Sequence, residues 1–156
     1  MAGRLAPEIH QTEPPGVLEE EAFLNLGRTF EILQQRVSAF LKTYQLTPTQ
    51  YNLLRILRGA GGDGVTCSQA CERMMTSDPD ITRLLDRLEA RWLIERERSK
   101  KDRRVVITKS TANGLALVNE IDKPMSDLLR GLVGHVGTAK LHGLIETLES
   151  LREGPL

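Results

Sequence analysis

The sequence predicts a mainly α-helical fold with one small β-hairpin. Three observations support this class. Apolar residues recur mostly at spacings of three and four, strand-like alternation is confined to a short stretch near residues 94–107, and Gly and Pro separate the helical stretches. The 156 residues are 40% apolar but include only three Phe, two Tyr and one Trp. We therefore expect one domain with an aliphatic core.

Residues 1–16 are expected to form a flexible N-terminal arm. They contain Pro7, Pro14 and Pro15 and no apolar run typical of a signal peptide. No stretch of the chain approaches the ~20 apolar residues that a membrane span needs. The sequence therefore predicts a cytoplasmic protein without a membrane partner.

Residues 17–46 are predicted to form a dimerisation helix that runs roughly from Val17 to Thr43. Its apolar residues follow the heptad rhythm of a helix that packs along other helices. One small monomer would not cover this surface, and symmetric dimers are the commonest oligomers, so we expect a homodimer. The apolar positions are Phe23, Leu26, Phe30, Leu33, Val37, Phe40 and Tyr44.

Residues 47–110 are predicted to form three short helices followed by a hairpin. Pro48 suits the first position of a helix that Thr47 and Gln50 would cap, and the glycine-rich residues 59–64 would end that helix.

The second and third short helices have recognisable starts. A capping box at Thr66–Gln69 is expected to open the second helix, which would run through Met75. The third should begin near residues 77–80 and end near Arg91. One face of this third helix carries an apolar stripe at helical spacing. The stripe consists of Ile81, Leu84, Leu85 and Leu88.

The hairpin is predicted from alternation over Ile94–Arg98 and a return strand over Val105–Ile107. Its tip, residues 99–104, contains no apolar side chain. Short helices two and three would form a helix-turn-helix, to which the hairpin adds a wing. The predicted fold is therefore a winged helix-turn-helix flanked by long dimerisation helices.

Residues 111–156 are predicted to form C-terminal dimerisation helices. Thr111–Gly114 leads into the first of them, in which Pro124 is expected to cause a kink. Thr138 is expected to cap the last helix. Both helices carry apolar stripes that would extend the dimer interface.

Positive charge is concentrated in one segment of a balanced chain. The chain has 21 Lys and Arg and 21 Asp and Glu, whereas residues 81–109 hold ten Lys and Arg against five Asp and Glu. A helix that exposes Thr and Arg on one face, followed by a cationic hairpin, suits double-stranded DNA. We find no glycine-rich phosphate loop, clustered His and carboxylates or nucleophile elbow, so neither an enzyme nor a cofactor is expected.

Arg83 is the predicted base-reading residue, because it lies off the apolar stripe and can donate two hydrogen bonds to guanine. A phosphate contact, or a salt bridge to Asp80 or Asp86, is the alternative. Thr82 is expected to touch a thymine methyl or a phosphate, and Arg87 the DNA backbone. The remaining predicted DNA contacts are Ser68, Gln69, Lys100, Lys101, Arg103 and Arg104. Of these, the wing residues Lys101 and Arg103 are expected to enter the minor groove.

Four residues of the second short helix have open alternatives. Ser68 and Gln69 would contact phosphate or simply cap the helix. Cys67 and Cys71, one turn apart, are interpreted as two small buried apolar residues, with an oxidant switch or half of a metal site as alternatives. Three scattered histidines do not suggest a zinc site, so no metal is expected.

The chain contains four short segments in a characteristic order, ITRLLDRLE at 81–89, LIER at 93–96, DRR at 102–104 and TANG at 111–114. Together they resemble the MarR family, the multiple-antibiotic-resistance type of bacterial regulator, and the resemblance covers roughly residues 23–151. The resemblance implies a dimeric transcriptional regulator, often a repressor, that binds a palindromic operator and leaves it when a small molecule or oxidant arrives. The alternatives are a winged-helix protein-interaction module and a redox-sensing protein without sequence-specific DNA binding.

The resemblance also assigns individual roles. Asp102 and Arg104 resemble the family's wing pair, in which the carboxylate holds the guanidinium and stabilises the wing. Trp92 stands where the family usually has Gly, and we expect its indole to pack under the wing. A small-molecule effector is expected between the dimer helices and the DNA-binding domain. The predicted lining residues of this pocket are Phe23, Phe30, Tyr44 and Tyr51.

Overall fold

The structure is a computed structural model that describes residue 8, residues 16–75 and residues 80–154. The predicted N-terminal arm therefore lies almost wholly outside the described residues. So do residues 77–79, which the sequence assigns to the start of the third short helix.

Two compact units make up the chain, Met1–Pro48 and Thr49–Leu156. The described part of the first unit is helical, and the second unit combines helices with a three-stranded antiparallel sheet. The predicted fold class is thereby confirmed. None of the helices in the described residues is long and apolar enough to cross a membrane.

Helix α1, Leu18–Lys42, is the main element of the first unit, and its bounds match those predicted for the first long helix within one residue at each end. Three glutamates in its first turn interact favourably with the helix dipole. The helix leaves large apolar side chains exposed, among them Phe23, Leu26 and Phe30. It is followed by a left-handed turn at Gln45, where φ is 56°.

Helices α2, Pro48–Ala60, and α3, Cys67–Arg73, confirm two of the predicted short helices. Thr66 forms the expected capping box with Gln69. The Thr66 hydroxyl accepts the Gln69 N–H at 3.1 Å, and the Thr66 N–H donates to Gln69 Oε1 at 2.9 Å. Two backbone donors at the start of α3 are therefore satisfied. The apolar residues that α2 buries are Tyr51, Leu53, Leu54 and Leu57.

Two expectations for α3 are wrong. The helix ends two residues before Met75, because Met74 already has extended backbone with ψ 143°. Cys67 and Cys71, interpreted as buried apolar residues, are both exposed. Ala70 is the buried residue of this seven-residue helix, so a single small side chain faces the core.

Helix α4, Ile81–Ala90, is the third short helix. Asp80 occupies its N-cap position and accepts the N–H of Arg83 at 3.2 Å, which satisfies one of the free donors of the first turn. The predicted apolar stripe is confirmed. Its buried members are Leu84, Leu85 and Leu88.

The antiparallel sheet has the order β1-β3-β2, with β1 at Val65–Thr66, β2 at Ile94–Arg98 and β3 at Val106–Ser110. Strand β2 matches its prediction, and β3 begins one residue later and ends three residues later than predicted. Strand β1 was not predicted, because two residues are too few to show alternation. Gly64 precedes β1 at φ 67°, and a Cβ there would lie 2.5 Å from the carbonyl oxygen of Thr108. This close approach requires Gly.

Helices α5, Ala112–Val133, and α6, Thr138–Glu153, confirm the two C-terminal helices. Helix α5 continues through Pro124. The expectation that Thr138 caps α6 is wrong. Thr138 is the first helical residue, and Gly137 holds the cap position without a side-chain hydrogen bond.

An ion pair joins α2 to α5 within the second unit. Arg58 Nη1 lies 2.5 Å from Asp122 Oδ2 and donates to Asn119 Oδ1 at 3.0 Å. The hydrogen bond to Asp122 raises the pKa of Arg58 above its usual range. The pair therefore fastens the first helix of the winged domain to the helix that follows the wing.

Candidate nucleic-acid interface

The outward face of α4 is polar. Thr82, Arg83 and Arg87 are exposed on it, while the leucines of the opposite face are buried. The Arg83 side chain is 71% exposed, and its Nε lies 3.5 Å from Asp80 Oδ2. The alternative ion pair with Asp80 is therefore present. An exposed pair of this kind contributes less than about 1 kcal/mol, so the guanidinium can exchange it for another acceptor.

A charged cluster ties α4 to strand β2. Arg96 Nη2 lies 2.6 Å from Asp86 Oδ1, and Arg96 also pairs with Glu89, to which its Nε donates at 2.9 Å. The hydrogen bond from Arg96 lowers the pKa of Glu89 and keeps that carboxylate charged. The sequence interpretation missed Arg96. Strand alternation from the buried Ile94 would have placed it on the inner face of β2.

The tip of the wing is held by hydrogen bonds within its own turn, from backbone N–H groups to the side chain and the carbonyl of Asp102. The N–H of Arg104 donates to Asp102 Oδ1 at 2.9 Å, and the N–H of Val105 donates to the Asp102 carbonyl at 3.0 Å. Asp102 thus stabilises the turn by accepting hydrogen bonds from the backbone N–H groups of the residues that follow it. The expectation that its carboxylate holds the Arg104 guanidinium is wrong, since no salt bridge of the described residues joins this pair.

Arg98 is a second wing residue that the sequence interpretation missed. Its Nη1 donates to the carbonyl oxygen of Arg103 at 3.1 Å and so restrains the tip from the strand side. Arg98, Ser99, Lys100 and Arg103 line one concavity of the surface. All four predicted cations of the tip are exposed, and none belongs to a salt bridge of the described residues. These are Lys100, Lys101, Arg103 and Arg104.

Ser68 and Gln69 lie exposed at the start of α3. Gln69 uses its side-chain oxygen in the capping box, so its capping role is present in the structure. The Ser68 hydroxyl donates to Glu72 Oε1 at 3.3 Å. Phosphate contacts by these two residues remain a prediction.

Trp92 connects α4 to the wing through a left-handed turn. Its φ is 56°, and the N–H groups of Trp92 and Leu93 donate to the carbonyls of Glu89 and Leu88 at 2.9 and 3.1 Å. This is the Schellman arrangement that Gly usually completes. The Trp92 side chain is 76% exposed, so the expectation that its indole packs under the wing is wrong.

The aromatic residues predicted to line an effector pocket have different surroundings. Phe23 and Phe30 are exposed on α1. Tyr44 packs edge-on against Phe40, with ring centroids 5.4 Å apart. Tyr51 is buried, and this burial raises the pKa of its hydroxyl. An effector pocket at these residues remains a prediction.

The helices, the three-stranded sheet and the cationic tip define a winged helix-turn-helix protein. The sequence profile of the MarR family matches residues 44–105. The chain is 32% identical over 111 residues to the multiple antibiotic resistance protein MarR of Salmonella typhimurium, covering 66% of this chain and 74% of that protein. It is 31% identical over 108 residues to the HTH-type transcriptional repressor MdtR of Bacillus subtilis, covering 69% and 64%.

Two solved structures are also similar. A MarR transcription factor from Planctomyces limnophilus is 35% identical, has a TM-score of 0.68, and covers 86% of this chain and 98% of its own. The S. aureus MepR–DNA complex, at 21% identity and a TM-score of 0.73, covers 85% and 96% and shows the same fold. The chain belongs to the MarR family.

Proposed function

We propose that this protein is a dimeric transcriptional regulator that binds double-stranded DNA at a palindromic operator, represses transcription there, and is released by a small-molecule or oxidant signal. The observation that carries the proposal is the set of exposed cations on α4 and the wing tip. The neighbouring cations Arg96 and Lys109 are engaged by Glu89, Asp86 and Glu97. The tip cations remain available for phosphate.

Helix α4 has the form of a recognition helix. Three buried leucines fix its inner face, so the outer face is presented at a defined angle. On that face, Arg83 suits a guanine, Thr82 a thymine methyl or a phosphate, and Arg87 a phosphate of the adjacent backbone. The exposed ion pair of Arg83 with Asp80 would be exchanged for the base contact.

The wing suits a contact with the backbone or the minor groove. Its tip is fixed by Asp102 and by Arg98 before any ligand arrives. A pre-ordered tip loses little conformational freedom on binding, so its cations contribute more of their attraction to affinity. Lys101 and Arg103 are our candidates for the minor groove.

Dimerisation would bring two recognition helices to one duplex. Helix α1 exposes several large apolar side chains, and none of the residues of α6 is buried. Extended helices with uncovered apolar faces suit a second copy of the chain. Two half-sites lie about one helical turn of DNA apart, so a ligand that changed the separation of the two helices would release the operator.

The relatives support a regulator in place of an enzyme, and the name of MdtR supports repression. A regulator that binds the operator of its own cell's genes would act in the cytoplasm. Affinity that depends on salt and on sequence is the expected behaviour, since phosphate contacts supply attraction and base contacts supply selectivity.

The decisive experiment is selection of bound fragments from random duplex DNA, followed by sequencing. We expect one enriched motif with two-fold symmetry, and a complex of two chains per motif by light scattering. Binding without any enriched motif, or no duplex binding at low salt, would contradict the proposal and favour a protein-interaction module.

A further inference from the structure

Cys67 and Cys71 form an exposed pair of thiols on helix α3. They are the only two cysteines of the chain. A separation of four residues on an α-helix places side chains on the same face, with their Cβ atoms roughly 5–6 Å apart. Partial desolvation raises the pKa of the Cys67 thiol, and Cys71 raises it further through its charge and a side-chain hydrogen bond, as expected for neighbouring thiols.

This spacing suits a bridging atom better than a direct bond. A disulfide needs Cβ atoms about 3.5–4.5 Å apart, which the helix does not provide without distortion. Two metal–sulfur bonds of about 2.3 Å, the length found for zinc and thiolate, span the wider gap. Among the described residues, no group of three or more His, Cys, Asp and Glu side chains is placed to hold a metal ion. An ion that accepts two ligands therefore fits this pair better than four-coordinate zinc.

We propose that Cys67 and Cys71 bind one soft monovalent metal ion, of the copper(I) or silver(I) class, between their two sulfurs. Thiolates are the preferred ligands of such ions. Each thiol gives up its proton to solvent as a metal–sulfur bond forms, and no atom is oxidised or reduced. The complex of two thiolates and one monovalent ion carries one net negative charge, whereas the two protonated thiols carry none.

The position of the pair connects it to the proposed DNA-binding surface. Cys67 and Cys71 flank Ser68 and Gln69 on α3, the two residues of this helix that are predicted to contact phosphate. A bound complex with one net negative charge would repel a DNA phosphate at this position. This second step, a loss of operator affinity, rests on the proposed function.

Binding can be tested with silver(I) nitrate in chloride-free buffer, using native mass spectrometry and a titration against a competing thiol. We expect one silver ion per wild-type chain and none retained by the Cys67→Ser/Cys71→Ser variant. A matched control, Cys71→Ser/Glu72→Cys, keeps two thiols but turns one to a different face of the helix. It should bind roughly a hundredfold more weakly, because the ion can no longer engage both sulfurs.

Two results would overturn the site. One is equal affinity of the wild type and the Cys71→Ser/Glu72→Cys variant, and the other is silver held only between two chains. Circular dichroism of each variant before titration establishes that the fold is intact. A thiol pair that binds as proposed should also release two protons per ion, which a weakly buffered titration measures.

The effect on DNA is measured separately, on the motif selected above, with and without one equivalent of silver(I). Affinity should fall for the wild type and stay constant for the Cys67→Ser/Cys71→Ser variant. Unchanged wild-type affinity with a filled site overturns the coupling but supports the site. If neither protein binds any duplex, the proposed function fails, while the silver titration still decides the site.

Discussion

The guanidinium of Arg96 on strand β2 lies 2.6 Å from the carboxylate of Asp86 on helix α4, and it also pairs with Glu89 one turn further along that helix. One side chain therefore connects the base of the wing to the exposed helix at two points. Because α4 is only ten residues long, its orientation depends strongly on such ion pairs. Loss of the ion pairs of Arg96 should therefore affect the position of both α4 and the wing.

The first prediction concerns Arg96→Met. We expect the free energy of unfolding to fall by roughly 1–2 kcal/mol, because hydrogen bonds to charged partners are lost while the partly exposed carboxylates are rehydrated. Urea denaturation followed by circular dichroism measures the change. Arg87→Met is the matched control on α4: its exposed side chain has no salt bridge among the described residues, so stability should change little. Equal losses in both variants would contradict the bridging role.

The second prediction is the pH dependence of that difference. Arg96 holds the pKa of Glu89 below its usual value of 4.5. A carboxylate whose folded-state pKa is depressed stabilises the fold above the unfolded pKa and loses that contribution as pH falls through the folded value. The stability gap between wild type and Arg96→Met should therefore be constant near neutral pH and shrink as the pH falls below 4.5. A gap that stays constant into strong acid would exclude the ion pair as its cause.

The third prediction concerns Gly114, the fourth residue of the TANG segment. A Cβ at this position would lie 2.0 Å from the carbonyl oxygen of Leu93, and the Gly114 N–H donates to the capping hydroxyl of Thr111 at 3.1 Å. Gly114→Ala should destabilise the fold by about 3 kcal/mol, because backbone must move apart to make room. Gly131→Ala on the same helix meets nothing within 4 Å and should be neutral or stabilising by up to about 1 kcal/mol. Thermal unfolding of the pair tests this contrast.

Much of the fold was predictable because its signals are local. The buried leucines of α4 repeat at helical spacing, the capping box of Thr66 is a four-residue pattern, and β2 alternates over five residues. Strand β1 was missed since its two residues form a strand only through pairing with β3. The end of α3 was misplaced because apolar Met74 continues the helical spacing although its backbone does not.

The sequence predicted which cations of the candidate site are exposed, but not which carboxylates pair with its charged side chains. Exposed cations on α4 and at the tip follow from charge and spacing. The carboxylate that pairs with each cation depends on how β2 packs against α4. The sequence therefore did not reveal that Arg96 pairs with Asp86. The thiols of Cys67 and Cys71 were expected to be buried because free cysteine usually is, yet the short α3 buries only Ala70.

The fourth prediction separates strain from side-chain contact at Trp92. An L-residue in the left-handed region costs roughly 1–2 kcal/mol, and the exposed indole contributes little packing in return. Trp92→Gly should therefore be more stable than Trp92→Ala by about 1 kcal/mol, since both lack the indole and only Gly relieves the strain. Urea denaturation of the two variants measures the difference. Equal stabilities would mean that the turn is not left-handed in solution.

The fifth prediction distinguishes the two kinds of DNA contact, on the motif that the selection yields. Arg83→Ala should weaken binding to that motif by about 1–3 kcal/mol and relax base preference at one position, while binding to unrelated duplex changes little. Lys101→Ala should instead weaken binding to all duplexes alike and reduce the slope of log affinity against log salt by ~1, because one phosphate contact and its released counterion are lost.

The control for these variants is Lys140→Ala, which removes the same charge from α6 and should change neither the base preference nor the salt slope. Fluorescence anisotropy titrations at several salt concentrations measure both. If Lys101→Ala alters base preference, or Arg83→Ala lowers affinity equally for every sequence, the assignments of α4 to bases and the wing to the backbone are wrong.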